Sequence, residues 1–98
     1  MVNIVGLSEK EKEDRERLSK LVSLAKGFIP NAEIITMESS HSYFSLKLEE
    51  GRIPVFIRSR GQIDIDVDKP DLFNYAINLA EYLEKQGMGT LTVKKTYE

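Results

Sequence analysis

Three aspartates alternate with apolar residues in the middle of the chain: Asp64, Asp66 and Asp68. Carboxylates two residues apart on a strand point to the same side, where they could hold a divalent cation. The spacing is like the start of a calcium-binding loop, but Lys69 stands where that loop needs glycine and Tyr75 where it needs glutamate. We therefore predict an acidic surface and no metal site. A metal-dependent enzyme that uses Asp64 and Asp66 is the weakest alternative.

The single histidine, His41, lies among Ser39, Ser40 and Ser42. A hydrolase would need one serine as nucleophile, the histidine as its base and a third group, here Glu38, to orient that base. Polar turns contain serine and histidine routinely, and the chain has no Gly-x-Ser-x-Gly turn. We therefore predict no catalytic residue, no cofactor and no enzymatic activity.

The composition narrows the classes of function. With 98 residues, of which 41% are hydrophobic and 31% charged, the chain is expected to form one globular domain over residues 1–98. The absence of cysteine excludes disulfides, thiol nucleophiles and thiolate metal sites. A net charge of −2 disfavours indiscriminate binding to nucleic acid, which needs an excess of lysine and arginine. We expect a small acidic cytoplasmic protein with no membrane partner, of thermophile-like composition.

The first helix is predicted from about Ser8 to Lys26. Ser8 and Glu11 have the spacing of a capping box, in which each side chain accepts a hydrogen bond from the other's backbone N–H. Residues 9–17 are all charged, and the apolar stripe begins only at Leu18. Only the second half of this helix is therefore expected to pack on a core.

The second helix is predicted after Asp68, which we expect to act as its capping side chain, with Pro70 in the first turn and Gly87 at the end. Tyr75 and Tyr82 lie seven residues apart and widen an apolar face that is already broad. A helix on a small sheet needs a narrower face, so we expect this one to contact something besides its own sheet. The other apolar positions are Leu72, Phe73, Ala76, Ile77, Leu79, Ala80 and Leu83.

Three stretches between the helices alternate apolar with polar residues, which predicts an antiparallel meander over Tyr43 to Val67 with one buried face. Further strands are predicted over Glu33 to Glu38 and over Thr90 to Tyr97. Pro54 conflicts with a central strand because it cannot donate a ladder hydrogen bond. The predicted fold class is α+β, a two-layer antiparallel sheet in the order helix, strand, three-stranded meander, helix, strand, with both helices packed on one face. The apolar positions of the meander are Phe44, Leu46, Leu48, Ile53, Val55, Ile57, Ile63, Ile65 and Val67.

The opposite face of the meander has the composition of a binding surface. If the branched residues point inward, aromatic and basic side chains point outward, and such a face is typical of platforms on which single-stranded nucleic acid stacks. A small nucleic-acid-binding domain is therefore our alternative hypothesis. Its predicted contacts are Tyr43, Lys47, Phe56, Arg58 and Arg60.

The preferred hypothesis is a non-enzymatic protein–protein interaction module that forms a homodimer or binds another protein. Its predicted interface is Tyr43, Phe56, Tyr75 and Tyr82. A narrower form is an accessory or inhibitory factor of viral or plasmid origin, an anti-CRISPR-like protein acting on a host nucleic-acid-handling complex. In that form the acidic surface and the acidic groups of Glu9 to Glu16 would compete for a basic groove.

Overall fold

The computed structural model describes residues 9–36 and 42–97, and its elements follow the predicted order. The fold class is α+β, as predicted. The predicted capping residue Ser8 and the His41 cluster, apart from Ser42, lie outside the described residues. The helices are α1 (Glu9–Phe28) and α2 (Pro70–Lys85), and the strands are β1 (Glu33–Thr36), β2 (Tyr43–Leu48), β3 (Gly51–Ile57), β4 (Gln62–Val67) and β5 (Thr90–Lys95).

The strands form one sheet in the order β1-β2-β3-β4-β5. Each neighbouring pair from β1 to β4 is antiparallel, but β5 lies parallel to β4. The expectation of a wholly antiparallel sheet was therefore wrong for the last strand. The reason is that α2 carries the chain back along the sheet, so β5 begins at the same end as β4, as in a strand–helix–strand crossover.

The core lies between the helices and one face of the sheet. The alternation in the meander is confirmed, because its inward positions are buried together with Leu21 and Ala25 of α1. Helix α2 buries Leu72, Ala76 and Leu79 in the same cluster. The buried positions of the meander are Phe44, Leu46, Ile53, Val55, Ile57, Ile63, Ile65 and Val67.

Pro54 lies within β3 without breaking the sheet. It pairs with Ser45 of β2, and the backbone N–H of Ile57 donates to Ser42 on that side. Because backbone groups alternate along a strand, the nitrogen of Pro54 faces β4. The pairing of β3 with β4 runs from Ile57 only as far as Val55, which pairs with Ile65. Pro54 lies one residue beyond that pairing, so no ladder hydrogen bond requires an N–H at position 54.

The start of α2 differs from the prediction. The residue preceding α2 is Lys69, which makes no side-chain capping bond, so Asp68 is not the cap. The end of α2 is as predicted: Gly87 has a φ of 73°, and the N–H of Met88 donates to Leu83. These are features of a Schellman motif, which uses glycine because other residues are strained at positive φ.

The apolar residues that α1 packs on the core come from its second half, as expected. Leu21 and Ala25 are buried, whereas Glu13 and Glu16 in the first half are exposed. The helix continues two residues beyond Lys26, whose Nζ donates hydrogen bonds to the carbonyls of Pro30 and Ala32 in the following turn, at 2.8 and 2.6 Å.

Candidate functional site

The sheet face that points away from the helices is the first candidate surface, and we call it the outer face. The register divides it into two halves. Strands β1 to β3 carry an apolar half formed by Ile35, Tyr43, Pro54 and Phe56, all partly exposed. Strands β4 and β5 carry a polar half, formed by Gln62, Asp64, Asp66, Thr90, Thr92 and Lys94.

Tyr43 and Phe56 lie directly opposite each other on β2 and β3. Their ring centroids are 5.1 Å apart and the rings are tilted by 48°. The guanidinium of Arg58 lies 5.0 Å from the centre of the Phe56 ring, within the range of a cation–π contact. The outward direction predicted for Phe56 is therefore confirmed. The guanidinium of Arg58 borders the apolar half at this point.

Asp64 lies between that aromatic pair and β5, and two cations hold it. Its Oδ2 is 3.1 Å from Arg58 Nε and 3.2 Å from Lys94 Nζ, and Gln62 donates to Oδ1 at 3.4 Å. The Asp64 side chain is only 4% exposed, whereas those of Arg58 and Lys94 are about half exposed. Burial by itself would raise the pKa of Asp64, but the hydrogen bonds from Lys94 and Arg58 outweigh burial and lower it.

The three aspartates do not form the predicted acidic surface. Asp64 is buried and its charge is matched by two cations. Asp66 is partly exposed on the outer face, and Asp68 is exposed beyond the end of β4. Among the described residues no group of three possible metal ligands is present.

Ser45 occupies the centre of the apolar half, between Ile35 and Pro54 on the neighbouring strands. It is fully buried although it lies on the outer face, and its Oγ has no hydrogen-bond partner within residues 9–36 and 42–97. Water therefore does not reach the hydroxyl of Ser45.

The four residues of the predicted interface lie on opposite sides of the molecule. Tyr43 and Phe56 are on the outer face, whereas Tyr75 and Tyr82 are on the helical layer. Tyr82 stacks on Phe28 of α1 with ring centroids 4.7 Å apart, so its part of the broad apolar face is used within the chain. Tyr75 is 38% exposed. These four residues cannot form one contact patch.

The second candidate surface is the outer edge of β5, which has no neighbouring strand among the residues that the structure describes. The N–H of Thr96 donates to Val67 of β4, so by alternation Thr92 and Lys94 also direct their backbone groups toward β4. The N–H and C=O groups of Leu91, Val93 and Lys95 consequently point away from the sheet. We call these three residues the β5 edge.

A partly apolar flank of α2 lies beside the β5 edge. Lys95 Nζ is 5.6 Å from the ring centre of Phe73 and 5.1 Å from that of Tyr97. Ile77 is one turn from Phe73 on the same side of α2 and is partly exposed. We call Phe73, Ile77 and Tyr97 the α2 flank.

Comparison with protein-family models, with curated proteins and with solved structures finds no match to this chain. No helix within the described ranges is both long enough and apolar enough to cross a membrane.

Sequence reasoning missed Lys94 and Ile35 as members of the outer-face surface. Lys94 contacts Asp64 only because β5 joins the sheet in parallel, and no local pattern indicates that pairing. Ile35 joins the surface through its register with Ser45. Two other residues predicted to contact nucleic acid lie in different places. Lys47 is on the outer face opposite Arg52, whereas Arg60 is in the β3–β4 turn at a φ of 59°.

Proposed function

We propose that this chain is a non-enzymatic protein-interaction module that forms a homodimer through the β5 edge and the α2 flank of two copies. The observation that carries the proposal is the row of backbone groups at Leu91, Val93 and Lys95, which point away from the sheet and pair with no strand within residues 9–36 and 42–97. An exposed strand edge is a template for pairing with another strand, and β5 is six residues long, compared with four for β1.

The side chains beside this edge support a second copy as the occupant. Pairing β5 with the same strand of another copy brings the two α2 flanks together across a two-fold axis. The broad apolar face of α2 is then used on three sides: against the sheet, against α1 and against the partner.

The charges on β5 favour an antiparallel arrangement. Lys94 and Lys95 are both at the carboxyl end of the strand. An antiparallel two-fold pairing centred near Val93 places them opposite Thr92 and Leu91 of the other copy, whereas parallel pairing would place lysines side by side. Opposed like charges destabilise strand pairs, so the antiparallel dimer is the favoured one.

The contact is small. It is about 20 Å long, which is the length of a six-residue strand, and one strand plus one helix wide. Such an area is at the low end for specific interfaces, so we expect a dissociation constant in the micromolar range, roughly 1 to 100 µM.

The proposal includes the absence of a reacting group from residues 9–36 and 42–97. Asp64, the aspartate with a shifted pKa, is held by Arg58 and Lys94 and so has no open position for a metal or substrate. The narrower hypothesis of an inhibitory factor would draw its acidic groups from Glu13 and Glu16 on the exposed half of α1, because the charge of Asp64 is already matched.

Amide hydrogen exchange tests the dimer residue by residue. Between about 0.5 µM and 500 µM protein, a range chosen to bracket the expected affinity, the N–H groups of Leu91, Val93 and Lys95 should become more protected. Those of Thr92 and Lys94, which face β4, should be protected at both concentrations. Fast exchange of the three edge amides at every concentration, with only monomer in sedimentation equilibrium, would refute the proposal.

Substitutions on the flank provide a matched pair. Ile77→Lys places a charge in the contact between the two α2 flanks and should raise the dimer dissociation constant by at least about tenfold, since burying an unpaired charge is strongly unfavourable. Asn78→Lys makes the same change at the exposed neighbouring position and should leave it within about twofold. Equal effects of the two substitutions would exclude the flank from the interface.

A further inference from the structure

We infer that the apolar half of the outer face binds single-stranded nucleic acid. This inference does not depend on the proposed dimer, because the outer face and the β5 edge are different surfaces. The ligand class follows from two properties of this half: a pair of adjacent aromatic rings, and cations at both of its ends.

The rings supply the stacking surface. Tyr43 and Phe56 are partly exposed on neighbouring strands, with centroids 5.1 Å apart. That separation allows successive bases of one strand to lie on the two rings. Bases in a duplex are covered by their neighbours and cannot do so, which is why the inference is restricted to single strands.

The cations lie where a backbone crossing the rings would place its phosphates. Lys47 and Arg52 face each other across β2 and β3 at one end of the apolar half, and Arg58 lies beside Phe56 at the other end. Lys47 and Arg52 are exposed, and neither forms an ion pair within the described part of the chain.

The acidic residues of the outer face weaken this site less than their number suggests. Asp64 is buried between two cations, so the group formed with Arg58 and Lys94 carries a net positive charge. Asp66 lies on the polar half, and Glu33 is beside Lys47 at the β1 edge. The apolar half is therefore bordered mainly by positive charge in a chain whose net charge is −2, which favours an anionic ligand over an arbitrary protein.

Fluorescence anisotropy with a labelled single-stranded oligothymidine of about 15 nucleotides, a length that exceeds the expected footprint, tests the inference. Phe56→Leu keeps an apolar side chain but removes the stacking surface, and it should weaken binding by about tenfold. Tyr75→Leu changes an aromatic residue on the helical layer and should leave affinity within about twofold. The inference is overturned if the wild-type chain does not bind at low salt, or if both variants lose affinity equally.

The salt dependence tests the cations separately. The double variant Lys47→Gln with Arg52→Gln should reduce the slope of log affinity against log salt by about 1.4, or about 0.7 for each lost phosphate contact. The matched control is Lys20→Gln with Lys85→Gln, which removes the same charge from exposed positions on the helices. A slope reduced equally by both double variants would indicate a general charge effect and would contradict the site.

A photo-crosslinking experiment on the wild-type chain does not depend on how the variants fold. An oligonucleotide of the same length that contains 4-thiothymidine should crosslink to the tryptic peptide of residues 53–58, which contains Phe56. Crosslinks confined to α1 or α2 would overturn the assignment. So would a finding that Phe56→Leu abolishes binding to another protein while no oligonucleotide binds, because the face would then be a protein interface.

Discussion

Gly89 packs directly against the carbonyl group of Gly61. A β-carbon at position 89 would overlap with that oxygen, and the φ of Gly89 is +124°. The contact arises because β4 and β5 start side by side, with Gln62 paired to Thr90, so that the turns before both strands meet. Helix α1 also contacts this part of the molecule, because Arg17 Nη2 donates a hydrogen bond to the carbonyl of Met88 at 3.4 Å.

Replacing Gly89 by alanine should therefore destabilise the fold strongly. The added methyl group must displace the backbone of the β3–β4 turn, and the positive φ adds strain, so we expect a loss of at least about 3 kcal/mol in the free energy of unfolding. Urea denaturation followed by circular dichroism measures it. Gly27→Ala is the control, because a methyl group at position 27 would have no neighbour within 4 Å and alanine is the better helix former. A similar loss at both positions would contradict this interpretation of the turn.

The Asp64 network should make stability depend on pH. Its pKa is lowered in the folded chain because, although burial would raise it, the bonds from Lys94 and Arg58 outweigh burial. The stabilisation is complete above the unfolded pKa of about 4 and is lost as the pH falls through the lower folded pKa. Asp64→Asn should cost about 1 to 2 kcal/mol at pH 7, since both cations are half exposed and partly screened.

The measurement for Asp64 is urea unfolding of the wild type and the variant at neutral and acidic pH. The two unfolding free energies should differ at pH 7 and converge as the pH falls through the lowered folded pKa of Asp64, where the wild-type carboxyl becomes protonated. A difference that stays constant through that pKa would show that the carboxylate charge is not what the variant removes.

Ser45→Ala is expected to be neutral or stabilising by up to about 1 kcal/mol. The Oγ of Ser45 is buried without a hydrogen-bond partner among the described residues, and removing an unsatisfied hydroxyl relieves its desolvation cost. Thermal unfolding by calorimetry measures the change, with Ser19→Ala on the exposed side of α1 as the reference. Destabilisation by more than about 1 kcal/mol would mean that the hydroxyl is hydrogen-bonded.

Lys26→Met should destabilise the chain by about 1 kcal/mol. The substitution keeps most of the aliphatic stem but removes the two hydrogen bonds to the carbonyls of Pro30 and Ala32, which connect α1 to β1. Lys20→Met, on an exposed part of the same helix, is the matched control and should change stability by less than about 0.5 kcal/mol. If chemical denaturation gives equal values for both variants, these bonds do not contribute.

Several elements were predictable because their causes are local. The inward direction of Ile53, Val55 and Ile65 follows from period-two alternation, and the end of α2 at Gly87 follows from the positive φ that glycine tolerates. The late start of the apolar stripe at Leu18 likewise predicted which half of α1 packs. The outward direction of Phe56 was predictable for the same reason, because successive residues of a strand point to opposite faces of the sheet.

Other features depend on residues that are distant along the chain. The parallel direction of β5 places Lys94 beside Asp64, thirty positions earlier, and this pairing converts a predicted acidic surface into a buried ion network. Stacking of Tyr82 on Phe28 likewise assigns part of a broad helix face to an internal contact. Alternation and capping depend on near neighbours, so the sequence by itself determined the elements and their buried faces. Strand order, charge pairing and the β5 edge depend on which elements become neighbours in space, so only the tertiary structure decided them.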